Sequence, residues 1–363
     1  MVGNKLYYQY LFEWFEKYQR KLPWREKKDW YERWISEIML QQTQVEQVID
    51  YFNSFISRYP TIHALAGASL DEVMKSWEGL GYYARAQNLY KSAQLIDTKF
   101  NGVLPANERI LKQLPGFGTY TINALLSIVF NQPFAVVDGN ILRIITRLYA
   151  IKNDIRLSTT RNMVQKKMNR LIYKKKPGLF NEAMMELGAT ICIPKNPLCN
   201  HCPIIMFCRT YKQNLQNEIP FKSPPPEKPY YSGFSFILYN ENKICIAQRP
   251  PKGLLAGLWE FPTFTEKKNK ITNKTVSKKY LFKLIDKETV QKEVKLLPVK
   301  HSYTHFNISI QPYLVYINEQ SFIKETYDKI RWVSFNCLEQ YAMHRAMRKI
   351  LLKNEKKLKI VSP

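Results

Sequence analysis

The chain has 363 residues, a length that suits two domains, and its 45% hydrophobic content excludes wholesale disorder. Its 55 Lys plus Arg exceed its 30 Asp plus Glu, so the formal net charge is +25. That balance excludes an acidic protein and favours a polyanionic partner such as nucleic acid, although a solvated basic surface explains the charge equally well.

The first segment of the chain, up to about residue 21, mixes acidic and aromatic residues. It predicts an amphipathic helix rather than a signal peptide. No apolar run approaches the ~18 residues of a membrane span. We therefore expect an intracellular protein with no membrane partner, cytoplasmic and associated with the nucleoid if it is bacterial. Thiols stay reduced in that setting, so the six cysteines are considered first as metal ligands or buried residues.

The chain up to about residue 212 is predicted to consist of helices joined by short loops. Apolar residues recur at three- and four-residue spacing, and no segment alternates like a strand. The predicted helical segments are Asp29–Tyr59, Ser69–Phe100, Leu114–Phe130, Asp138–Tyr149 and Leu179–Ile193.

The character of the sequence changes at Phe221–Pro229, where closely spaced prolines predict an extended, semi-rigid linker. The runs at Tyr231–Tyr239, Lys243–Gln248 and Ser309–Tyr316 then alternate as strands do, and Asn336–Leu352 is predicted to be helical. This pattern indicates an α+β domain. The predicted division is a mostly α domain over 1–215, a linker over 216–229 and an α+β domain over 230–363.

Two carboxylates of the helical region occupy positions that suit catalysis. Glu37 lies in a stretch, 34–45, that is otherwise apolar and amide-bearing. Burial there would let Glu37 hold a proton near neutral pH and act as a general acid, although an exposed helical glutamate is the alternative. Asp138 stands where a new helix starts, so it is predicted to be an N-cap, and an N-cap aspartate can also open onto a cleft.

A short turn precedes one of the predicted helices, with the sequence Leu-Pro-Gly-Phe-Gly at 114–118. Gly116 and Gly118 permit close approach of another backbone, and amides that open a helix favour a phosphate. An ordinary connection between two helices is the alternative interpretation.

Four cysteines follow the pattern C-x6-C-x2-C-x5-C at the end of the helical region: Cys192, Cys199, Cys202 and Cys208. Four thiolates in one short loop can converge on a metal centre, and either zinc or an iron–sulfur cluster suits such a ligand set. Cys245 and Cys337 lie in the second domain and are predicted to be buried apolar residues.

The turn at 114–118, the cysteine spacing and the sequences around Glu37 and Asp138 together resemble the helix–hairpin–helix glycosylase superfamily. Within it, they resemble adenine DNA glycosylases of the MutY family. The resemblance implies a helix–hairpin–helix domain whose loop 192–208 holds one 4Fe-4S cluster. It also implies a monomer acting on double-stranded DNA, where it removes adenine mispaired with 8-oxoguanine or guanine.

The resemblance further implies roles for individual residues. Glu37 protonates the adenine and Asp138 stabilises the oxocarbenium-like sugar, while Asn140 orders the site. Residues matching the adenine pocket and the groups that fill or wedge the base stack are Arg25, Glu182, Gln42 and Tyr82. From the sequence alone, Tyr82 also fits a core aromatic and Arg25 a surface cation.

Bifunctional relatives resembling endonuclease III carry a Schiff-base lysine two residues after the last hairpin glycine, and here that position is Tyr120. Because a tyrosine cannot form an imine with an opened sugar, a monofunctional enzyme is predicted. The rival interpretations are a bifunctional lyase, opposed by Tyr120, and a catalytically inactive iron–sulfur protein that only binds DNA, opposed by the intact Glu37 and Asp138.

The second domain contains a segment, 253–262, that resembles the opening of a Nudix domain. Nudix hydrolases follow it with a glutamate-rich helix that holds magnesium, and no such cluster appears here. A Nudix-like domain that binds rather than hydrolyses is therefore predicted. In the MutY family such a domain reads 8-oxoguanine with a Phe-Ser-His loop, which makes Thr304, in Tyr303–His305, the candidate lesion contact. His305 also fits a buried, hydrogen-bonded histidine.

Overall fold

The computed structural model describes residues 5–26, 29–267, 274–319, 327 and 329–358. The chain divides into two compact units. The helical unit comprises Met1–Gly67 and Asn88–Pro225, and the sheet unit comprises Ala68–Gln87 and Pro226–Pro363. None of the helices formed by the described residues is both long and apolar enough to span a membrane.

The chain up to residue 212 is helical in its described residues and contains no strand there, as the sequence predicts. Short 3-10 turns occur at Cys199–His201 and Ile205–Phe207. The α-helices are α1 (Lys5–Tyr18), α2 (Trp30–Met39), α3 (Val45–Arg58), α4 (Ile62–Gly67), α5 (Leu70–Ser76), α6 (Ala84–Phe100), α7 (Glu108–Leu111), α8 (Thr119–Ile128), α9 (Gly139–Tyr149), α10 (Ser158–Leu171), α11 (Pro177–Thr190) and α12 (Arg209–Lys212).

Helix α9 shows how the helical unit forms its core. Ile141, Ile144, Ile145 and Leu148 are buried on it at three- and four-residue spacing, which is the pattern of an amphipathic helix. They join apolar side chains of α1, α10 and α11 in one cluster. Helix α11 packs against α1, α8 and α9, and α2 packs against α8. These contacts hold the helices that carry Glu37, Tyr120 and Asp138 in one framework.

The first part of the predicted linker is bound to the helical unit. The buried Arg147 side chain donates hydrogen bonds to the carbonyl oxygens of Gln216 and Ile219 at 3.1 and 2.8 Å. The backbone N–H of Ile155 donates to the Phe221 carbonyl at 3.1 Å. The structure divides the two units between Pro225 and Pro226, inside the predicted linker 216–229.

The sheet unit is an α+β structure around one mixed sheet. Strands β1 and β7 pair in parallel, and the other pairs of named strands are antiparallel. A 3-10 turn spans Lys287–Thr289. The elements are β1 (Tyr230–Asn240), β2 (Lys243–Gln248), β3 (Trp259–Glu260), β4 (Thr263–Lys267), α13 (Lys274–Leu281), β5 (Val290–Lys295), β6 (Val299–Ser302), β7 (Asn307–Ile317), β8 (Lys329–Ser334), α14 (Arg345–Lys353) and α15 (Glu355–Leu358).

Apolar clusters cover both faces of this sheet, and successive side chains of β1 point alternately into one cluster and the other. Phe234, Phe236 and Leu238 point into one apolar cluster with residues Leu281–Ile285. Ile237 points into the opposite cluster, which includes Met347 of α14. Side chains alternate across a strand, so a strand with apolar residues on both faces reads as a nearly continuous apolar run.

Segment 68–87, which contains α5 and the turn after it, belongs to the sheet unit. The sequence-based division places it in domain 1–215, so the structure differs from the prediction here. The reason lies in its side chains: Glu78 forms an ion pair with Arg348 at 2.7 Å, and Gln87 donates to the Ala256 carbonyl at 2.7 Å. Local helical periodicity does not reveal such distant contacts.

The predicted strands are confirmed, and Lys243–Gln248 is correct at both ends. The predicted helix Asn336–Leu352 is wrong as one element. A 3-10 turn spans Phe335–Gln340 and α14 starts only at Arg345. The interruption lets Met343 pair with Trp259 in an isolated bridge and places His344 in the interior.

Candidate active site and cysteine-lined cavity

Glu37 lies on α2 with only 2% of its surface exposed, so the alternative of an exposed glutamate is wrong. Its Oε2 accepts a hydrogen bond from the Tyr120 hydroxyl of α8 at 2.9 Å. Its Oε1 lies 3.2 Å from Nε of Arg33, although that N–H does not point along a hydrogen bond. The carboxyl group therefore has one good hydrogen bond and one cationic neighbour.

Burial raises the pKa of Glu37 above its ordinary value. The Arg33 charge and the Tyr120 hydrogen bond oppose that shift, whereas the negative charges of Glu182 and Asp138 add to it. A carboxyl group that tends to keep its proton near neutral pH is suited to general acid catalysis.

Arg33 is a site residue that the sequence interpretation missed, since it stands just before the stretch taken as apolar. It precedes Glu37 by one helical turn, the spacing at which side chains meet on a helix. Arg33 also forms an ion pair with Glu182 on α11, in which its NH2 atom lies 2.9 Å from Oε1 of Glu182. The i,i+4 spacing is the sequence signal that would have found it.

Tyr120 interacts with both candidate carboxyl groups, those of Glu37 and Asp138. Burial raises its pKa well above the ordinary value, and the negative charges of Glu37 and Asp138 raise it further. The phenol therefore stays protonated and acts as a donor to Glu37. Its hydroxyl also lies 3.6 Å from the sulfur of Met185.

Arg25 and Glu182, the predicted pocket residues, come together in a chain of charges. The Nε atom of Arg25 lies 3.9 Å from Oε1 of Glu182. Arg25 also donates through NH2 to Glu186 at 2.9 Å, and Arg20 donates to Glu186 through Nε at 2.8 Å. Arg25 is therefore not a simple surface cation. Through Arg33, this chain extends to Glu37.

Asp138 is the N-cap of α9, as predicted from the sequence. Its Oδ1 accepts from the backbone N–H of Ile141 at 2.7 Å, and its Oδ2 accepts from the amide of Asn140 at 3.0 Å. Burial raises the pKa of Asp138, and these hydrogen bonds, with the charge of Arg143, oppose the shift. The two hydrogen bonds fix the orientation of the carboxyl group at the start of α9.

Asn140, the predicted ordering amide, is held in turn by Arg143. The guanidinium donates to Asn140 Oδ1 at 2.8 Å and to the carbonyls of Gly188 and Cys192 at 2.8 and 2.6 Å. A Cβ at Gly188 would lie 2.5 Å from Cβ of Asn140, so a side chain at this position would displace the amide. Arg143 stands three residues after Asn140 on α9, a spacing at which helical side chains meet, and this spacing is the sequence signal that would have found it.

The hairpin glycines occupy the turn before α8. Gly116 has φ +78°, in the left-handed region that glycine tolerates, and a Cβ there would approach Asn88 to 2.9 Å. Gly118 is exposed and is the N-cap of α8. Phe117 between them is buried and stacks on Trp34 of α2, with ring centroids 5.4 Å apart. The turn thus anchors its apolar residue and leaves Gly116 and Gly118 at the surface.

The cysteines of loop 192–208 face one cavity, whose other walls include apolar side chains of α9 and α11. Its lining contains four free thiols: Cys192, Cys199, Cys202 and Cys208. Burial raises the pKa of Cys202 to about 12, and the other three cysteines add to the effect. Thiols crowded into an apolar cavity need bound cations to become thiolates, and this donor set fits a metal centre.

The cysteine-lined cavity provides a set of donor atoms rather than a formed metal site. In the described part of the chain, no three or more His, Cys, Asp and Glu side chains are grouped closely enough to hold a single metal ion. Four cysteine thiolates are the usual ligands of an iron–sulfur cluster, so the four thiols that line this cavity fit that kind of group.

Arg147 organises the loop that carries these cysteines, and sequence reasoning missed it. This buried side chain donates to the carbonyls of Ile193 and Pro194 at 2.7 and 2.9 Å. Its NH1 lies 3.4 Å from the sulfur of Cys192. The charge of Arg147 would offset part of the negative charge of bound thiolates.

The remaining predicted substrate residues lie elsewhere. Gln42 is exposed in the helical unit with φ 59°. Tyr82 is 38% exposed, so it is not a core aromatic, and it belongs to the sheet unit together with Thr304. The Tyr82 and Thr304 hydroxyls lie 2.9 Å apart. His305 is exposed, so its alternative as a buried histidine is wrong.

The sheet unit has its own buried acid, Glu260, which is 1% exposed. Arg249 donates to both of its oxygens at 3.0 and 2.9 Å, and Tyr327 and His344 contact it at 3.2 and 3.1 Å. Where a Nudix hydrolase has its glutamate-rich helix, residues Thr263–Lys267 form β4.

Known proteins share both parts of this architecture. A family profile described as HhH-GPD superfamily base excision DNA repair protein matches residues 35–173, and a NUDIX domain profile matches 234–353. A thermostable thymine-DNA glycosylase structure is 26% identical with a TM-score of 0.52, covering 58% of this chain and 96% of that one.

Two curated relatives extend the similarity over nearly the whole chain. The adenine DNA glycosylase of Rattus norvegicus is 32% identical over 94% of this chain and 76% of its own length. The adenine DNA glycosylase of Buchnera aphidicola subsp. Baizongia pistaciae is 33% identical over 97% of both chains. The fold and site thus define a base excision repair DNA glycosylase. Within that class, the chain belongs to the adenine DNA glycosylase family.

Proposed function

We propose that this chain hydrolyses the N-glycosidic bond of adenine in double-stranded DNA when the adenine lies opposite 8-oxoguanine or guanine. The observation that carries the proposal is the buried Glu37, whose raised pKa suits a proton donor and whose carboxyl group is oriented by the hydrogen bond from Tyr120. The bond is inaccessible inside a duplex, so the adenine must leave the base stack first.

In the proposed reaction Glu37 protonates the imidazole-side nitrogen of adenine, which makes the base a better leaving group. The bond between the base and C1′ then breaks with its electrons going to the base. Asp138, fixed at the start of α9, stabilises the positive charge that develops on the sugar. Water adds to C1′ of the sugar and releases one proton, which replaces the proton that Glu37 gave to the base, and the hydrolysis is then complete. Arg25 and Glu182 line the pocket for the extruded base.

The proposal includes an intact DNA strand as the product. Tyr120 occupies the position of the Schiff-base lysine, and its hydroxyl donates to Glu37 instead. A phenol cannot form the imine through which a lyase cuts the strand. The abasic site should therefore remain until alkali or another enzyme cleaves it.

DNA binding in this proposal rests on the net charge of +25 and on the hairpin. The exposed Gly116 and Gly118 and the amides that open α8 would meet a phosphate, and Gln42 would fill the stack near the lesion. Tyr82 and Thr304 would contact the base opposite adenine, which makes the sheet unit a reader of the lesion. We propose that the chain acts as a monomer.

Four thiolates, those of Cys192, Cys199, Cys202 and Cys208, would hold one 4Fe-4S cluster, for which their shared cavity is suited. A bound cluster would cross-link the loop through these four thiolates. Arg147 keeps that loop folded through its hydrogen bonds to the loop carbonyls. Brown purified protein with about four irons per chain would support this assignment, whereas colourless protein with stoichiometric zinc would refute it.

The function is tested with duplexes in which a single adenine lies opposite 8-oxoguanine, guanine or thymine. Adenine release and strand cleavage are measured separately, with and without alkali. We expect release from the first two duplexes, and strand breaks only after alkali. Efficient borohydride trapping of a covalent enzyme–DNA adduct would contradict the monofunctional mechanism, and no release from any mispair would refute the proposal. Thr304→Val serves as the matched variant that changes lesion preference without touching Glu37.

A further inference from the structure

The turn that carries Tyr82 adopts a conformation that needs support. Tyr82 has φ 48°, a left-handed conformation that is uncommon for a bulky side chain and persists only when its surroundings impose it. In this conformation the phenol reaches the Thr304 hydroxyl at 2.9 Å. The position of Tyr82 therefore depends on what holds the turn.

Several contacts hold the turn internally. The Trp77 indole donates to the Gly81 carbonyl at 3.2 Å, and the backbone N–H of Gly79 donates to the Tyr83 hydroxyl at 3.1 Å. Arg85 donates to the Gly81 carbonyl at 3.1 Å, and its guanidinium lies 5.5 Å from the Tyr82 ring centroid. These bonds shape the turn but do not fix it against residues 226–363 of the sheet unit.

Glu78 supplies that connection. Arg348 of α14 donates through Nε to one Glu78 oxygen at 2.7 Å and through NH2 to the other at 3.2 Å. The backbone N–H of Met343 also donates to Glu78 at 3.2 Å. Paired N–H donors of one guanidinium on a carboxylate fix orientation as well as distance. The contact therefore sets the orientation of the turn relative to α14 as well as its distance from that helix.

Both members of this pair are mostly shielded from water, with side-chain exposures of 16% for Glu78 and 22% for Arg348. Burial opposes ionisation of Glu78, but hydrogen bonds from Arg348 and Lys75 outweigh it and lower its pKa. Arg348 is itself fixed by the Tyr341 carbonyl at 2.9 Å. The pair is therefore ionised and held from the side of α14.

Two other hydrogen bonds connect segment 68–87 to residues 226–363, and each has at least one neutral partner. Gln248 donates to Asp71 at 3.1 Å, and Gln87 donates to the Ala256 carbonyl at 2.7 Å. Asp71 and Gln87 are each farther from Tyr82 in the sequence than Glu78 is. Glu78 thus combines a charged partner on α14 with a position directly before the turn.

We propose that Glu78 and Arg348 are positioning residues for recognition of the base opposite adenine, because their paired contact places the Tyr82 hydroxyl on Thr304. The inference rests on the proposed function, in which Tyr82 and Thr304 contact that base. Glu78 and Arg348 act through Tyr82 and do not touch the reacting bond. They should therefore affect the choice of substrate and leave the chemical step unchanged.

The test uses the 363-residue chain. It measures the ratio of adenine release from 8-oxoguanine pairs to release from guanine pairs, and the dissociation constants for both duplexes. Glu78→Gln and Arg348→Met should each lower the ratio about tenfold, which corresponds to about 1.4 kcal/mol. The single-turnover rate on the guanine pair at saturating enzyme should not change. Arg348→Lys keeps the charge without the paired donors and should restore part of the ratio. Glu72→Gln, which removes an exposed carboxylate from α5, is the matched control and should leave the ratio unchanged.

A combined variant separates positioning from a general structural effect. In a Tyr82→Phe/Thr304→Val background, Glu78→Gln should have no further effect on the ratio, because the contact it supports is already gone. A full effect in that background, or an unchanged ratio for Glu78→Gln alone, would overturn the inference. If Tyr82→Phe and Thr304→Val leave the ratio unchanged, the lesion role in the proposed function fails, and the inference falls with it. Thermal melting of each variant identifies any loss of folding, and if Glu78→Gln unfolds, Arg348→Lys decides the question.

Discussion

Glu37 in the helical unit and Glu260 in the sheet unit are both buried glutamates beside an arginine and a tyrosine, but their hydrogen bonding differs. Arg249 bonds both oxygens of Glu260, and Tyr327 and His344 add further contacts. Glu37 has one good hydrogen bond, from Tyr120, and an arginine that it shares with Glu182. A buried carboxyl group whose two oxygens both accept hydrogen bonds serves a structural role. A buried carboxyl group with fewer hydrogen bonds tends to keep its proton, and it can transfer that proton to a substrate.

The largest expected effect comes from removing the acid of the helical unit. General acid catalysis is typically worth ~100- to 10,000-fold, so Glu37→Gln should lower adenine release by about that factor. Binding to the mispair should persist, because phosphate contacts supply much of the affinity. Single-turnover kinetics and a binding titration measure both quantities. Glu260→Gln is the matched control, and if it lowers the chemical rate as much as Glu37→Gln does, the comparison of the two acids fails.

The same substitution tests the raised pKa of Glu37 through stability. A carboxyl group with a raised folded-state pKa supports folding at low pH and loses that contribution as pH rises through the folded-state pKa. Glu37→Gln should therefore melt at a higher temperature than the unmodified chain at pH 8, with the difference shrinking towards pH 4. Equal melting temperatures across this range would show that burial does not perturb Glu37.

Asp138→Asn is expected to have the next largest effect, about 100-fold or more on adenine release. The asparagine keeps an oxygen for the Ile141 N–H and so preserves the cap, but it loses the negative charge. Asp29→Asn is the matched control, because Asp29 also caps a helix, α2, through the Tyr31 N–H at 2.6 Å. If both variants remain fully active, Asp138 is only a cap and the two-carboxylate mechanism is wrong.

The sequence predicts features of the molecule that depend on neighbouring residues. The alternation of side chains along Lys243–Gln248 predicts both ends of β2 correctly. The N-cap signal at Asp138 likewise predicts the start of α9. The cysteine spacing also predicts that four thiols come together, and all four line one cavity. In each case a local pattern determines a local geometry.

Contacts between distant parts of the chain are what the sequence could not predict. The contact of Arg33 with Glu182 and that of Glu78 with Arg348 join residues whose approach depends on packing of whole helices. The second contact also affects experimental design. Truncation after Lys222 would remove the partners of segment 68–87 along with Thr304, so point variants test lesion recognition more cleanly.

A smaller effect is expected from Tyr120→Phe, which removes the hydrogen bond to Glu37. That bond lowers the Glu37 pKa, so its loss should raise the pKa and move the alkaline limb of the rate–pH profile to higher pH. The plateau rate should fall about tenfold, which is typical of losing one hydrogen bond to a charged group. An unshifted alkaline limb would contradict the assignment of that limb to Glu37.

The smallest effect is expected from the equivalent substitution in the sheet unit, Tyr327→Phe. Its hydroxyl donates to Glu260 at 3.2 Å and accepts from the Thr263 N–H at 2.8 Å, so its loss should cost about 1 kcal/mol of stability. Arg249 and His344 still hold Glu260, so the melting temperature should fall by a few degrees while the rate–pH profile stays in place. The two variants remove the same group from the same kind of partner. A shift of the pH profile in Tyr327→Phe would therefore show that Glu260 also influences the reaction, and that its pairing does not make it purely structural.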